Sequence, residues 1–311
     1  MIIKSTIPNF NTEVIMSTTT KYTRLTKESP QAEQPSGIKV LMKPHQLAML
    51  NYTSMLEQTY NNKPILIDKD ESSTKIKVNF GVIADNVGSG KSLMILSMIA
   101  REKLLKYIPD DYRSTSGIMA IETKYKKVDD YLPMNLVVVP HGIYNQWCKY
   151  IDNYTNLSYF GVNNKKKVKE FNNLIKKFTY GEGDNDSDSN SDNLADYDLV
   201  LTTNTRYNEI ASSLHIQVGR RYRISRLIMD EADSIKIQAA REIDASFTWF
   251  VSSSYENIIH PSGRRVYTNS QGETSDYYDY YSGFTITKYI NKGIEYTGFI
   301  RDRCRYLSYL N

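Results

Sequence analysis

Two cysteines in 311 residues, Cys148 and Cys304, are too few and too far apart for a disulfide framework or a zinc site, and they fit a reducing, intracellular setting. No run approaches the ~20 apolar residues of a membrane-spanning helix. Met1 to Phe10 lacks the continuous apolar segment of a secretory signal. Charge of one sign is also scarce: 39 basic residues against 35 acidic leave a net +4, so no nucleic-acid signal can be read from the overall balance. What is present is a 40% hydrophobic content, enough for a substantial core in one large or two modest domains. The 25 tyrosines, with abundant Asn, Lys and Ile, read as an AT-rich coding bias.

The chain divides by composition. Residues 1–36 are polar and without periodicity, which predicts a flexible tail. Lys43-Pro44-His45-Gln46 predicts a helix start, with Pro44 at the first helical position where its missing N–H costs nothing. Short, continuous, largely β-branched runs then recur: Val78–Ala84, Leu136–Val139, Leu199–Leu201, Arg226–Met229 and Trp249–Val251. Runs of this kind, separated by helical or mixed stretches, predict an α/β fold with a mostly parallel central sheet flanked by helices. Lys165, Lys166, Lys167, Lys169, Lys176 and Lys177 read either as a phosphate-contacting patch or as a solvated helix face. The tract at about 181–195 is acidic with almost nothing to pack, and predicts a disordered insertion.

The ends of these strands carry the chemistry. Gly81–Ala84 runs into Asp85-Asn86-Val87-Gly88-Ser89-Gly90-Lys91-Ser92, and an apolar helix follows. A turn-rich loop between strand and helix converges backbone N–H groups on an anion, and the helix N-terminus adds partial positive charge. Lys91 would reach the outer phosphates and Ser92 would ligate Mg2+. The match to Gly-x-x-x-x-Gly-Lys-Ser/Thr lacks its first glycine, where Asp85 stands. Downstream, Arg226–Met229 ends in Asp230-Glu231-Ala232-Asp233, where Asp230 would hold Mg2+ and Glu231 would orient and deprotonate an attacking water. Taken alone, the first also suits an ordinary helix cap and the second a solvated helix start. Together and in this order they indicate nucleoside triphosphate hydrolysis.

The order of His45-Gln46, Asp85–Ser92, Val137–Trp147, Leu199–Thr203, Asp230–Asp233 and Ser252–Ser254 resembles the first RecA-like motor domain of superfamily 2 helicases, in their Swi/Snf-like branch. That branch has Asp in the first glycine slot and an apolar-Pro…Gln-Trp motif like Val139-Pro140…Gln146-Trp147. The coding bias adds a similarity to such helicases of large cytoplasmic DNA viruses, which would place the protein in host cytoplasm or virion. The resemblance implies ATP and Mg2+ as cofactors. Gln46 would read the adenine edge, Asp85 to Ser92 would hold the triphosphate, and Lys91, Asp230 and Glu231 would carry catalysis. Pro140, His141, Thr202 and Thr203 would touch the nucleic-acid backbone, duplex DNA by preference. Ser252 and Ser254, with Asp233 as hydrogen-bonding partner, would couple hydrolysis to that contact. Duller readings stand beside these. Thr202-Thr203 also suits a helix cap, and Trp147 and Trp249 read as core residues. Tyr277–Tyr281 reads as an irregular loop or interface segment rather than a base-stacking platform.

Two departures from the family pattern, Tyr255 after the serine motif and Asp233 where many relatives have His, remove no group that hydrolysis needs. After Ser254 the sequence shows neither a second set of strands nor the arginine motif of a second motor domain; Arg264, Arg265, Arg301, Arg303 and Arg305 lack that context. The expected organisation is therefore tail 1–36, a RecA-like ATP-binding domain over 37–256, and an extension over 257–311, with the second motor domain supplied in cis or in trans. A truncated, catalytically weak regulatory or scaffold module is the alternative.

Overall fold

The computed structural model describes residues 25, 28–62, 80–105, 130–180, 192–215, 222–235, 237, 240, 241 and 243–254, with short strands at 2–3, 65–66, 75–76, 264–268 and 274–278. In chain order the elements are β1 (Ile2–Ile3), α1 (Pro44–Asn62), β2 (Ile65–Leu66), β3 (Lys75–Ile76), β4 (Phe80–Ala84), α2 (Lys91–Arg101), β5 (Asp130–Val139) and α3 (Tyr144–Tyr154). They continue with β6 (Tyr159–Val162), α4 (Lys165–Tyr180), β7 (Leu199–Thr203), α5 (Tyr207–Leu214), β8 (Tyr222–Asp230), β9 (Asp244–Ser252), β10 (Arg264–Thr268) and β11 (Thr274–Tyr278). No helix among the described residues is long and apolar enough to cross a membrane.

One seven-stranded sheet, ordered β1-β4-β9-β8-β5-β7-β6, forms the centre, and every pairing in it is parallel. The expected α/β architecture is present. β8 lies in the middle of the order and is buried along its whole length, as a strand covered on both faces must be. Because all strands point one way, the loops after β4, β5, β6, β7, β8 and β9 emerge on a single edge, where ligands of such sheets bind.

Several segments depart from the sequence expectation for local reasons. β5 begins at Asp130, not Leu136, because its pairing with β8 shifts register between Leu132 and Asn135, on either side of Pro133. Proline cannot donate to the ladder, and an irregularity lets the strand continue past it. β6 was not expected: it is short and alternates half-buried with buried residues, as a strand at the sheet edge does. The Lys165–Lys177 cluster lies on α4, whose Val168, Phe171, Leu174 and Ile175 are buried while Lys165, Lys166, Lys169 and Lys176 face solvent. Lys167 pairs with Glu170 and lies over the Phe160 ring.

Part of the expected tail is docked. Ile2–Ile3 pairs with Val82 and Ile83. Ala32 and Pro35 are buried, with the Ala32 N–H donating to the Leu47 carbonyl at 3.0 Å. Much of 1–27 lies outside the described residues, as does 181–191 of the acidic tract. At the end of that tract, Asn193 caps a 3-10 turn over Leu194–Asp196 and Leu194 is buried. Beyond Ser254 there is an antiparallel hairpin, β10 with β11, so Tyr277 and Tyr278 are strand residues rather than irregular loop. Residues 279–311 lie outside the described set.

Candidate active site

The loop after β4 is shaped by its two glycines. Gly88 and Gly90 adopt φ of 81° and 90°, a left-handed conformation that side chains with a Cβ resist. A Cβ on Gly90 would lie 2.2 Å from Gln46 Nε2, so α1 can close on the loop only over a glycine. Among the described residues no carbonyl accepts the N–H of Gly88, Gly90, Lys91 or Ser92. Four donors at a helix N-terminus with no backbone partner among the described residues are what a phosphate group requires. The Lys91 ammonium donates to the Asp85 and Asn86 carbonyls at 2.9 and 3.1 Å, holding its charge beneath the loop. Asp85 Oδ1 accepts the Asn86 N–H at 2.8 Å, and its own N–H donates to the Ser252 carbonyl, tying the loop to β9. Asn86, Val87 and Gly88 are exposed.

Gln46 lies against this loop. Its Nε2 donates to the Ser89 carbonyl at 3.0 Å and its Oε1 accepts the Lys43 N–H at 2.9 Å, so both ends of the amide are engaged. Here the residue acts as a brace between α1 and the loop. His45 Nε2 stands 3.3 Å from the same Ser89 carbonyl.

Asp230 ends β8 and is 3% exposed. Its Oδ2 accepts the indole N–H of Trp147 at 2.9 Å. Burial pushes its pKa up to about 6, against the Trp147 hydrogen bond; Glu231 adds to the rise, and the Glu231 N–H and the Lys91 charge oppose it. Glu231 follows with φ 51°, an uncommon conformation for a residue with a Cβ, and its carbonyl accepts the Ser234 and Ile235 N–H groups. The Ala232 N–H donates to the Val251 carbonyl, and Ser252 Oγ donates to Asp233 Oδ1 at 2.5 Å. The Ser254 N–H donates in turn to Ser252 Oγ at 2.8 Å, so the expected pairing of Asp233 with Ser252 is formed.

Among the described residues no group of three or more His, Cys, Asp or Glu side chains gathers to hold a metal ion. Asp230 and the Ser92 hydroxyl nonetheless suit Mg2+, which binds through few protein oxygens and completes its shell with phosphates and water.

A measurable consequence follows from the burial of Asp230. With a folded pKa near 6 against 3.8, the folded state holds the extra proton, so this group's contribution to stability falls as pH rises from about 4 to 6 and stays low above that. Asp230→Asn is therefore expected to stabilise the Mg2+-free chain at pH 7.5 by about 1–2 kcal/mol, less than the full shift because a hydrogen bond weakens. Thermal melts of both forms at pH 4.5 and 7.5 check this. The gap between them should open with pH, and a variant less stable than the parent at pH 7.5 contradicts it.

The nucleic-acid candidates separate. Pro140 is half-buried and His141 is exposed, at the carboxyl end of β5, and the His141 N–H donates to Asn204 Oδ1 at 3.1 Å. Thr202 and Thr203 are fully buried. The Thr202 hydroxyl donates to the Val162 carbonyl and that of Thr203 meets Thr205 Oγ1, so neither reaches the surface. What the β7 end offers instead is Asn204 and Thr205, one residue further on. Sequence reading missed Asn204 and the polar contact of Trp147. The signals were present, in Asn following Thr-Thr and in the Gln-Trp pair of the second motif.

The model of the SNF2-related domain matches residues 34–252. A mimivirus protein of Acanthamoeba polyphaga mimivirus named "Putative helicase R592" is 24% identical over 333 aligned positions, covering 87% of this chain and 39% of that protein. Among solved structures, the Sulfolobus solfataricus SWI2/SNF2 ATPase core domain is similar at a TM-score of 0.41 and 14% identity, over 76% of this chain and 37% of that one. The same core in complex with dsDNA gives 0.40 and 13%, over 72% and 34%. The chain thus spans well under half the length of each of these proteins.

Proposed function

Since the chain belongs to the SNF2-related family, we propose that it is the ATP-binding motor half of an ATP-dependent nucleic-acid translocase. The observation that carries this reading is the shared edge of the parallel sheet. The loop at β4 offers Lys91 and N–H groups with no backbone partner among the described residues, and β8, two strands away, presents Asp230 and Glu231. Bound Mg2+ would neutralise phosphate charge between Ser92 and Asp230. The chain's own residues then do the rest. Loop N–H groups and Lys91 hold the phosphates, Glu231 orients the water and takes its proton, and Asp233 with Ser252 and Ser254 links the β8 and β9 ends. Exposed His141, with Asn204 and Thr205 beside it, gives the opposite half of the edge short polar groups suited to sequence-independent backbone contact. Duplex DNA is the polymer that the family resemblance favours, the host cytoplasm or virion the place, and a second RecA-like domain the partner that completes the cleft.

The test is nucleotide binding by the purified chain, measured by calorimetry with ATP and Mg2+. Weak, Mg2+-dependent binding that Lys91→Ala removes is expected, with slow turnover that rises when a second motor domain and duplex DNA are added. ATP affinity indifferent to Lys91→Ala overturns the reading. ATP binding by a chain that neither duplex DNA nor RNA engages, even with a second domain present, favours a regulatory module.

A further inference from the structure

Trp147 makes a contact that packing does not require. It sits on α3 and is 2% exposed, in space that a phenyl ring would fill only in part. Yet its indole N–H is directed to a carboxylate, Asp230 Oδ2, at 2.9 Å and with both side chains buried. A buried indole N–H needs an acceptor, but many carbonyls would serve. The acceptor here is the acidic group at the end of the central strand, on the nucleotide edge.

The geometry has a consequence for that carboxylate. The terminal torsion of an aspartate is broad, so an unrestrained carboxylate samples a range of orientations. The Trp147 donor occupies one oxygen, Oδ2. That donor is rigidly mounted, on a helix whose face is buried in the core. A carboxylate held from behind in this way presents its free lone pairs in one direction. Such outer contacts to metal-binding groups typically change metal affinity about 10–100-fold when removed.

We propose that Trp147 is a positioning residue for Mg2+-nucleotide binding, fixing the orientation of the Asp230 carboxylate through its indole N–H. The assignment rests on the motor reading above, with Asp230 as the magnesium-facing carboxylate. It gives the tryptophan of the Gln146-Trp147 pair a polar task distinct from its place in the core.

The test uses the full chain, ADP and Mg2+. Calorimetric ADP titrations across a range of Mg2+ concentrations give the apparent Mg2+ requirement. Trp147→Phe, which keeps an aromatic side chain but loses the N–H and part of the volume, is expected to raise that requirement about 10–100-fold while leaving Mg2+-free ADP affinity unchanged. Asp230→Asn should abolish the Mg2+ dependence, and adding Trp147→Phe to it should change nothing further. A purely structural tryptophan would instead act equally with and without Mg2+, and additively with Asp230→Asn. A second readout needs no variant to bind. The chain has two tryptophans, hence two indole N–H resonances, and the one missing in Trp147→Phe should shift when Mg2+ and ADP are added. A parent chain that shows no Mg2+-dependent ADP binding removes the motor reading and this role with it. A parent that binds, but whose Mg2+ requirement survives Trp147→Phe and whose Trp147 resonance stays still, removes the positioning role alone.

Discussion

Glu231→Gln is expected to lower ATP turnover by about 100–10,000-fold while leaving ATP affinity unchanged, since it removes the proton acceptor and keeps the shape. Steady-state hydrolysis, with a second motor domain present, measures the first and calorimetry the second. The backbone at this position sharpens the expectation. Glu231 occupies φ 51°, where a residue with a Cβ carries strain of about 1–2 kcal/mol, and the turn it opens is closed by hydrogen bonds from Ser234 and Ile235 to its own carbonyl. Glycine would suit that turn at least as well. Glu231→Gly should therefore be no less stable than the parent in urea denaturation, yet as inactive as the glutamine variant. Strain retained at a carboxylate on the candidate nucleotide edge is the ground for expecting a side chain kept for chemistry. Turnover that survives both substitutions removes Glu231 from the mechanism.

The second large effect lies away from the nucleotide. Arg226, in the middle of β8, is 1% exposed and binds Glu57 of α1 through two parallel bonds: Nε to Oε1 at 2.8 Å and Nη2 to Oε2 at 2.9 Å. Its Nη1 donates to the Glu102 carbonyl at 2.8 Å, and the Trp249 indole donates to Glu57 Oε1 at 2.7 Å. Burial opposes the guanidinium charge, but Glu57 outweighs it and raises the Arg226 pKa. Glu57→Ala leaves that charge buried without its partner and is expected to cost about 3–5 kcal/mol, a large part of a domain's total stability. Urea denaturation reads the loss. Replacing Glu57 and Arg226 together by methionine should cost much less, because the desolvated charges go with the bond between them. Since α1 also carries Gln46, which braces the phosphate loop at Ser89, Glu57→Ala should weaken ATP binding as well as folding. Equal stability losses in the single and double variants contradict this account.

Much of the local structure of the candidate nucleotide site was legible in the sequence because its signals are local. A strand that runs into Gly-Ser-Gly-Lys-Ser specifies its own left-handed turns, its helix start and its unpaired N–H groups within a few residues. The Asp230–Asp233 cluster declares a strand end by the change from apolar to acidic. The Pro44 helix start and the run of parallel strands were legible in the same way. The strand ends expected to touch nucleic acid were read less well. Thr202-Thr203 carries the right residue types, but whether a hydroxyl at a strand end faces solvent or the neighbouring strand depends on β6, which sits beside β7 and takes the Thr202 hydroxyl on its Val162 carbonyl. That edge strand is too short and too mixed in polarity to announce itself.

The sequence by itself thus determined the fold class, the phosphate loop and the carboxylates, since each is specified by residues adjacent along the chain. Tertiary structure alone decided which strands neighbour which, that Gln46 braces the loop, that Thr202 and Thr203 are buried, and that Trp147 grips Asp230 from a helix 83 residues earlier. It also decided the partner of Arg226, 169 residues away. The reason is physical: local patterns of polarity and turn residues fix backbone conformation, whereas the pairing of buried polar groups is settled only when packing brings distant segments together and each desolvated donor must find an acceptor.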